Sequence, residues 1–181
     1  ILLLDTLNNN RWMNKPLNTD SEIVEIKKQS NCLKEWKGVK IEDLEAQVFV
    51  PKGYEMDDYR EPYSQFRINI SDMEIADFAS LLDADLMIDP MGQLLFEIWN
   101  KVRIKGWKDE RGALNRPKDD YSISDLINCL DKDPEIASLY TEAGTRRAVK
   151  QRLTSIQNNE VFSTNGTSLK ELLKPGVISI L

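Results

Sequence analysis

Four basic residues fall within seven positions of a chain whose net charge is −6: Arg146, Arg147, Lys150 and Arg152. On a helix, with about 100° between successive residues, Arg146 and Arg152 flank an apolar stripe, and Arg147 and Lys150 point further outward. Cations grouped on one exposed face are suited to contact the phosphates of a nucleic acid. The alternative is a solvated helix face that pairs with Glu142 and its neighbours, which is the usual role of such charge.

The chain contains no histidine, and this excludes several kinds of catalytic and metal sites from its residues. Ser-His and Cys-His nucleophilic pairs, His-based zinc sites and imidazole acid–base chemistry all need that side chain. Cys32 and Cys129 are not spaced as metal ligands, and two cysteines among 181 residues suggest free thiols in a reducing cytoplasm. We therefore predict no catalytic residue and no metal ligand within this chain.

The glycine-rich motifs that bind nucleotides are also missing. Neither Gly-x4-Gly-Lys-Ser/Thr nor Gly-x-Gly-x-x-Gly occurs in the sequence. We expect that this chain alone neither binds nor hydrolyses a nucleotide well.

Residues 105–120 form a charged stretch that we predict to be a loop. In it, Trp107 stands beside Lys108, and this pair could stack on a nucleic-acid base. We favour the alternative, in which the tryptophan plugs the rim of the core, because tryptophan is so commonly part-buried.

Two almost continuous apolar runs stand at the ends of the chain, one ending in Asp5 and the other covering 177–181. Such runs predict strands that are buried on both faces of a parallel sheet. Strands at the ends of a chain are normally protected edge strands and not its most apolar segments. Because these two runs are strongly apolar and the first residue is Ile1 and not Met, we expect the chain to be an internal segment of a larger α/β domain. Asp5 would end the first strand, where α/β folds place ligands, and it is our candidate for the rim of a nucleotide pocket. A turn-initiating aspartate is the alternative.

Between these runs the sequence predicts three further strands and then a block of helices. The strands are a short, partly exposed one from Ser21 to Lys28, the buried one from Gln47 to Pro51, and the alternating stretch from Phe66 to Ile70. Each helix has a starting signal: Ser71 with Glu74, Asp89-Pro90, Ser122 with Asp125, Asp133-Pro134, and Ser168 with Glu171. The helix after Pro90 carries an apolar face from Met91 to Val102, and a long helix extends from Ile136 to Ile156 with Gly144 as a possible bend or break.

Several stretches follow one another in a distinctive order: a first strand ending in Asp, Val-Phe-Val-Pro, Phe-Arg-Ile-Asn-Ile-Ser-Asp, Tyr-Ser-Ile-Ser-Asp-Leu-Ile, Arg-Arg-Ala-Val-Lys-Gln-Arg-Leu and Leu-Lys-Glu-Leu-Leu-Lys-Pro-Gly-Val-Ile-Ser-Ile-Leu. This order resembles the stretch between the Walker A and Walker B motifs of HerA/FtsK-type ATPases, hexameric motors that move double-stranded DNA. In that family a leucine-rich turn, Pro-Gly and an apolar strand precede Asp-Leu-Ser, and Leu172 to Leu181 match that pattern. The family's first strand usually continues as Asp-Pro-x-Gly-Glu, whereas Asp5 here is followed by Thr6-Leu7-Asn8.

The resemblance implies an α/β fold: a partial RecA-like P-loop NTPase sheet with a mostly helical insertion. Residues 1–70 would form one part of the ATPase sheet, 71–160 the insertion, and 161–181 the return helix and strand of the sheet.

The resemblance also implies an ATP-dependent DNA translocase or helicase motor in the cytoplasm. ATP and Mg would be bound by the intact protein and not by this chain alone, because both Walker motifs would lie outside it. Double-stranded DNA and a homo-hexamer would be its partners, with no membrane. Arg146, Arg147, Lys150 and Arg152 would then contact DNA or a neighbouring protomer. The alternative function is a non-catalytic helical protein-interaction module that binds through the faces of Met91–Val102 or Ile136–Ile156.

Overall fold

The structure is a computed structural model that describes residues 2–4, 45–55 and 62–181. These residues divide into two compact units. The sheet unit contains 2–4, 45–50, 54–55, 62–65 and 168–181, and the helical unit contains 51–53 and 66–167. Asp5, Cys32 and the strand predicted from Ser21 to Lys28 lie outside the described residues.

The described residues form eight strands and six α-helices, together with a 3₁₀-helix at Ile70–Asp72 and a π-helix at Lys101–Lys105. The strands are β1 (Leu2–Leu3), β2 (Ala46–Pro51), β3 (Ser64–Phe66), β4 (Ile68–Asn69), β5 (Trp107–Lys108), β6 (Leu114–Asn115), β7 (Phe162–Ser163) and β8 (Ile178–Ile180). The helices are α1 (Ile75–Leu81), α2 (Pro90–Asn100), α3 (Ile123–Lys132), α4 (Pro134–Leu139), α5 (Ala143–Gln157) and α6 (Leu169–Leu172).

A four-stranded sheet in the order β1-β8-β2-β3 organises the sheet unit. The last strand, β8, pairs in parallel with β1 on one side and with β2 on the other, in the registers Leu2↔Ser179 and Ala46↔Ile178. Parallel neighbours cannot be joined by a tight turn and need a long crossover connection. The predicted mixed α/β class is therefore confirmed.

The burial of the two terminal strands differs. Ser179 and Ile180 in β8 are buried, as predicted for an interior strand, and Ile180 packs with Val48 of β2. Burial of β1 on both faces was expected, and this prediction is wrong, because Leu2 is 38% and Leu4 75% exposed. The reason is that β1 is the end strand of the described sheet, so it has only one neighbour there.

The last helix and strand of the sheet unit follow the predicted signals. Ser168 caps α6 by accepting a hydrogen bond from the amide of Glu171. Gly176 then turns the chain into β8 with φ at +81°, a conformation that favours glycine. The hydroxyl of Ser179 donates a hydrogen bond to the carbonyl of Leu172, which satisfies this buried polar group.

One hydrophobic core holds the helical unit together. The predicted face of α2 forms its centre, because Leu94, Leu95 and Ile98 are fully buried. From α4 and α5, Ile136, Val149, Leu153 and Ile156 pack into the same core. Both faces that the sequence offered for partner binding are thus used inside the unit itself.

Most of the predicted helix starts are confirmed. Asp89 caps α2 by accepting from the amide of Met91 at 2.9 Å, with Pro90 at the first helical position. Ser122 and Asp125 form the reciprocal capping box of α3, in which the Ser122 amide donates to Asp125 Oδ2 at 2.9 Å. Asp133 caps α4 by accepting from the amide of Glu135 at 2.8 Å.

Two predicted elements are corrected. Ser71 does not cap a helix; it lies in the 3₁₀-helix and donates to Asp120 Oδ1 at 3.1 Å. The cap of α1 is Glu74, and the helix begins at Ile75, four residues after Ser71. The long helix from Ile136 to Ile156 is two helices, and the break lies at 140–142 rather than at Gly144. Tyr140 leaves helical geometry there and packs against the core, which outweighs local helix propensity.

The predicted strand from Phe66 to Ile70 is also divided. Phe66 ends β3 and Ile68 starts β4, which pairs in parallel with β7, whereas Ile70 begins the 3₁₀-helix. The charged loop at 105–120 contains the antiparallel pair β5–β6, with Trp107 opposite Asn115. Trp107 is only 9% exposed, so it fills the edge of the core as favoured above.

Candidate functional site

The predicted basic cluster lies on α5 in the helical unit. Val149 and Leu153 turn one side of this helix into the core, and both are fully buried. The helical period then places the four cations around the remaining surface, as the sequence predicted. The structure assigns them different contacts.

Two of the arginines bind the carboxyl ends of other helices. Arg146 is half-buried, and its Nη2 donates to the carbonyl of Leu130 in the last turn of α3 at 3.0 Å. Arg152 donates through Nη1 to the carbonyl of Leu82, the residue that caps α1. Helix C-termini carry unpaired carbonyls and partial negative charge, so a cation stabilises each by about 0.3–1 kcal/mol. These two side chains connect helices within the unit.

Lys150 reaches across to α3 as well, but at the surface. Its Nζ lies 2.6 Å from Asp131 Oδ2, and the two side chains are 48% and 39% exposed. An exposed pair of this kind contributes about 0–1 kcal/mol and is screened by salt. The predicted partner of the cluster was Glu142, whereas the ion pair that forms is with Asp131.

Arg147 is the exposed member of the cluster that has no assigned contact. Within the described part of the chain it takes part in none of the ion pairs or side-chain hydrogen bonds. Together with Lys150, whose ion pair with Asp131 is exposed, it places positive charge at the solvent-facing surface of α5. Side chains of this type bind phosphate groups without reading base sequence. Arg147 is therefore the member of the predicted cluster most available to a ligand, and Lys150 can join it by exchanging its exposed ion pair with Asp131.

Sequence reasoning missed an ionic cluster around Lys101, the residue that follows the last residue of α2. Lys101 Nζ lies 2.8 Å from Asp133 Oδ2 and 2.5 Å from Glu135 Oε2. The side chains of Lys101 and Asp133 are only 8% and 3% exposed. Asp133 was recognised as a helix cap, but nothing in the sequence links it to a lysine more than thirty positions earlier.

A second buried network surrounds the indole of Trp99. Its Nε1 donates to the hydroxyl of Tyr121 at 3.0 Å, and that hydroxyl donates to the carbonyl of Met73 at 3.1 Å. Arg103 lies over the same ring at 5.2 Å and pairs with Glu74 at 3.2 Å. Burial raises the pKa of Tyr121, so the hydroxyl remains a proton donor at neutral pH. The network fastens α2 to the segments before and after it and leaves no open site.

The thiol of Cys129 lies inside the same core. It is a free cysteine with no exposed surface, and burial raises its pKa to about 12. A thiol with so high a pKa is protonated and unreactive at neutral pH. Cys129 is therefore a core residue and not a nucleophile.

In the described part of the chain, no group of three or more His, Cys, Asp and Glu side chains is placed to hold a metal ion. Across 2–4, 45–55 and 62–181, none of the helices has the length and apolar character needed to cross a membrane. Comparison with protein-family models, with curated proteins and with solved structures finds no match to this chain.

Proposed function

We propose that this chain is an internal part of a RecA-like motor ATPase that moves along double-stranded DNA. In this proposal the sheet unit belongs to the central sheet of the ATPase domain, and the helical unit is an insertion that contacts DNA. The observation that carries the proposal is the parallel placement of β8 between β1 and β2. Motors of this type are built on parallel strands joined by crossovers, and their ligands lie at the carboxyl ends of those strands.

The sequence at the end of the chain adds support. Leu172, Pro175 and Gly176 lead into β8 in the order that the resembling ATPases show before their Asp-Leu-Ser. The hydrogen bond from Ser179 to Leu172 holds this turn against the strand.

The nucleotide and its Mg²⁺ do not fit the residues of this chain. The sequence has no phosphate-binding loop, and the described residues hold no suitable cluster of metal ligands. We therefore place the ATP site in flanking sequence of a hexameric, cytoplasmic protein and derive no step of hydrolysis from the residues here. Asp5 stays a candidate for the rim of that site.

The contribution of the helical unit is to hold DNA. Arg147 and Lys150 project from α5 into the solvent, and their charges attract the phosphates of the duplex. Binding to the backbone alone suits a motor, because it must move over any sequence. Arg146 and Arg152 keep α5 fixed against α3 and α1 while force is transmitted.

The test is DNA-stimulated ATP hydrolysis by the full-length protein carrying both Arg147→Gln and Lys150→Gln. We expect the DNA concentration for half-maximal stimulation to rise about tenfold. The slope of the logarithm of the DNA-binding constant against the logarithm of the salt concentration should become shallower by about 2, since each of the two lost phosphate contacts removes about 0.9. The fold should survive, because the Lys150–Asp131 pair contributes at most about 1 kcal/mol.

Lys170→Gln is the matched control, because Lys170 is an exposed lysine on α6 in the other unit. Unchanged DNA stimulation in the double variant would remove α5 from the mechanism. A loss of hexamers with unchanged DNA affinity of the remaining assembly would instead make this surface a contact between protomers.

A further inference from the structure

A polar cleft lies between the β5–β6 hairpin and α3 in the helical unit. It has a volume of about 140 Å³, and Trp107 and Val102 are its apolar lining. A water molecule needs about 10–15 Å³ of such space, so the cleft has room for a group much larger than one water. Its remaining lining is charged or amide-bearing, and the charges are Arg116, Lys118 and Lys132 against Asp109 and Asp125.

Both carboxylates of the cleft are already engaged within the fold. Asp125 Oδ1 accepts from Lys118 Nζ at 2.6 Å, and its Oδ2 accepts from the amide of Ser122 at 2.9 Å. Burial by itself would raise the pKa of Asp125, but the bonds from Lys118 and Ser122 outweigh this and lower it. Asp109 Oδ1 accepts from the amides of Arg111 and Ala113 at 2.9 and 2.8 Å, which closes the hairpin turn.

Two cations of the cleft stay without such partners. Among the described residues, Arg116 and Lys132 take part in none of the ion pairs and side-chain hydrogen bonds, and both are exposed. They come from different walls of the cleft, Arg116 from the segment after β6 and Lys132 from the last turn of α3. Because the lysine and carboxylate of the Lys118–Asp125 pair offset each other, the unbalanced charge of the cleft is positive.

We propose that this cleft binds a phosphate group between Arg116 and Lys132. The planar guanidinium of Arg116 matches two phosphate oxygens, and the ammonium of Lys132 adds a point charge from the other wall. The amide of Asn128, one turn before Lys132 on α3, can donate a further hydrogen bond. In the segments around this cleft, the sequence suggested a nucleic-acid contact only for Trp107 with Lys108, and it did not join Arg116 to Lys132, because these cations lie in two separate segments.

The backbone of a nucleic acid is the source of phosphate that fits best, and on this point the inference rests on the proposed function. The cleft offers few apolar surfaces for the side chains of a peptide, whereas a phosphodiester needs only the charges and amides present. An adjoining recess of about 290 Å³ shares Asp109 and Lys132 and adds Glu110 and Arg111. That recess adds no net charge, so we place the phosphate in the cleft itself.

The experiment titrates the protein with inorganic phosphate, with a 20-base-pair duplex and with polyglutamate. Tryptophan fluorescence follows binding, because Trp107 lines the cleft, and Trp107→Phe identifies its share of the signal. The test variant carries Arg116→Gln and Lys132→Gln, and Lys170→Gln is the control. Both substituted side chains are exposed, so the melting temperature should stay unchanged.

We expect the unaltered protein and the control to bind phosphate, and the double variant to lose at least tenfold in affinity for it. If the double variant loses affinity for the duplex to the same extent, the phosphate group belongs to a nucleic acid. If the protein binds inorganic phosphate but not the duplex, the cleft is still a phosphate site and its ligand is a free anion. Equal phosphate affinity of variant and control, or tighter binding of polyglutamate than of the duplex, would overturn the proposal. The α5 variant Arg147→Gln/Lys150→Gln distinguishes α5 from the cleft. If this variant loses duplex binding but keeps phosphate binding, the loss is due to α5 and not to the cleft.

Discussion

Replacing Lys101 by Met should destabilise the helical unit more than any surface charge change. Met has similar length, so it fills the space of the lysine stem without the ammonium group. Asp133, which is 3% exposed, would then be a buried carboxylate with no counter-ion. Asp133 Oδ2 has no aligned hydrogen bond in the fold, so its ion pair with Lys101 is its main compensation.

The expected loss follows from that burial. Removing one partner of a buried ion pair costs about 3–5 kcal/mol, because the remaining charge stays desolvated. A domain is stable by only about 5–15 kcal/mol, so Lys101→Met should remove a large share of the total. Glu135 is the other partner, and it is 67% exposed. Glu135→Gln should therefore cost less than about 1 kcal/mol, since water replaces the lost contact.

The assay is urea unfolding followed by circular dichroism, with Glu135→Gln as the matched control. A second variant, Lys101→Met with Asp133→Asn, tests the cause. Asn is uncharged but can still accept the capping hydrogen bond from the amide of Glu135. The double variant should therefore be more stable than Lys101→Met alone. The reasoning is refuted if Lys101→Met costs less than 1 kcal/mol, or if adding Asp133→Asn lowers stability further.

The same cluster makes a prediction about pH. Burial alone would lower the pKa of Lys101, but Asp133 and Glu135 outweigh it and raise the pKa above its ordinary value. A group with a raised folded pKa contributes its full stability below the unfolded pKa and loses it as the pH rises through the folded value. The free energy of unfolding should therefore fall above about pH 10.4 more steeply in the unaltered protein than in Lys101→Met.

Substitutions at three other positions test the packing of the helical unit. An added Cβ at Gly92 would lie 2.0 Å from the carbonyl oxygen of Asp85, so Gly92→Ala must displace backbone and should cost about 1–3 kcal/mol in urea unfolding. Gly144→Ala is its control, since a Cβ there meets nothing within 4 Å and should stabilise α5 by up to about 1 kcal/mol; equal effects at both glycines would contradict the packing. Tyr121→Phe leaves the buried indole N–H of Trp99 unpaired and should cost about 1–3 kcal/mol, whereas a neutral change would show that this hydrogen bond is unimportant.

The sequence predicted the local signals of this fold well and the tertiary ones poorly. Asp89-Pro90 and Ser122 with Asp125 start helices because the capping side chain and the amides that it satisfies are neighbours in sequence. The burial of the apolar face after Pro90 could be predicted, because the helical period places its apolar side chains on one side of the helix. The division of the long helix at Tyr140 depends on how that ring packs against the core, which periodicity does not contain.

The candidate sites show the same limit. The four cations of α5 were found from their spacing, but their separation into helix-binding and solvent-facing members needs the carbonyls of Leu130 and Leu82, which belong to distant segments. The phosphate cleft joins Arg116 to Lys132 only through the packing of the hairpin on α3. Single-sequence spacing finds a group of charges on one helix, and it does not find one assembled from two elements.

Translocation along duplex DNA is the measurement that tests the central claim most directly. The full-length protein would be given a duplex that carries a short third strand, and release of that strand would be followed with ATP and with a non-hydrolysable analogue. We predict release that requires ATP hydrolysis and that slows when Arg147 and Lys150 are both replaced by Gln. Binding of the duplex without any ATP-dependent release would contradict it.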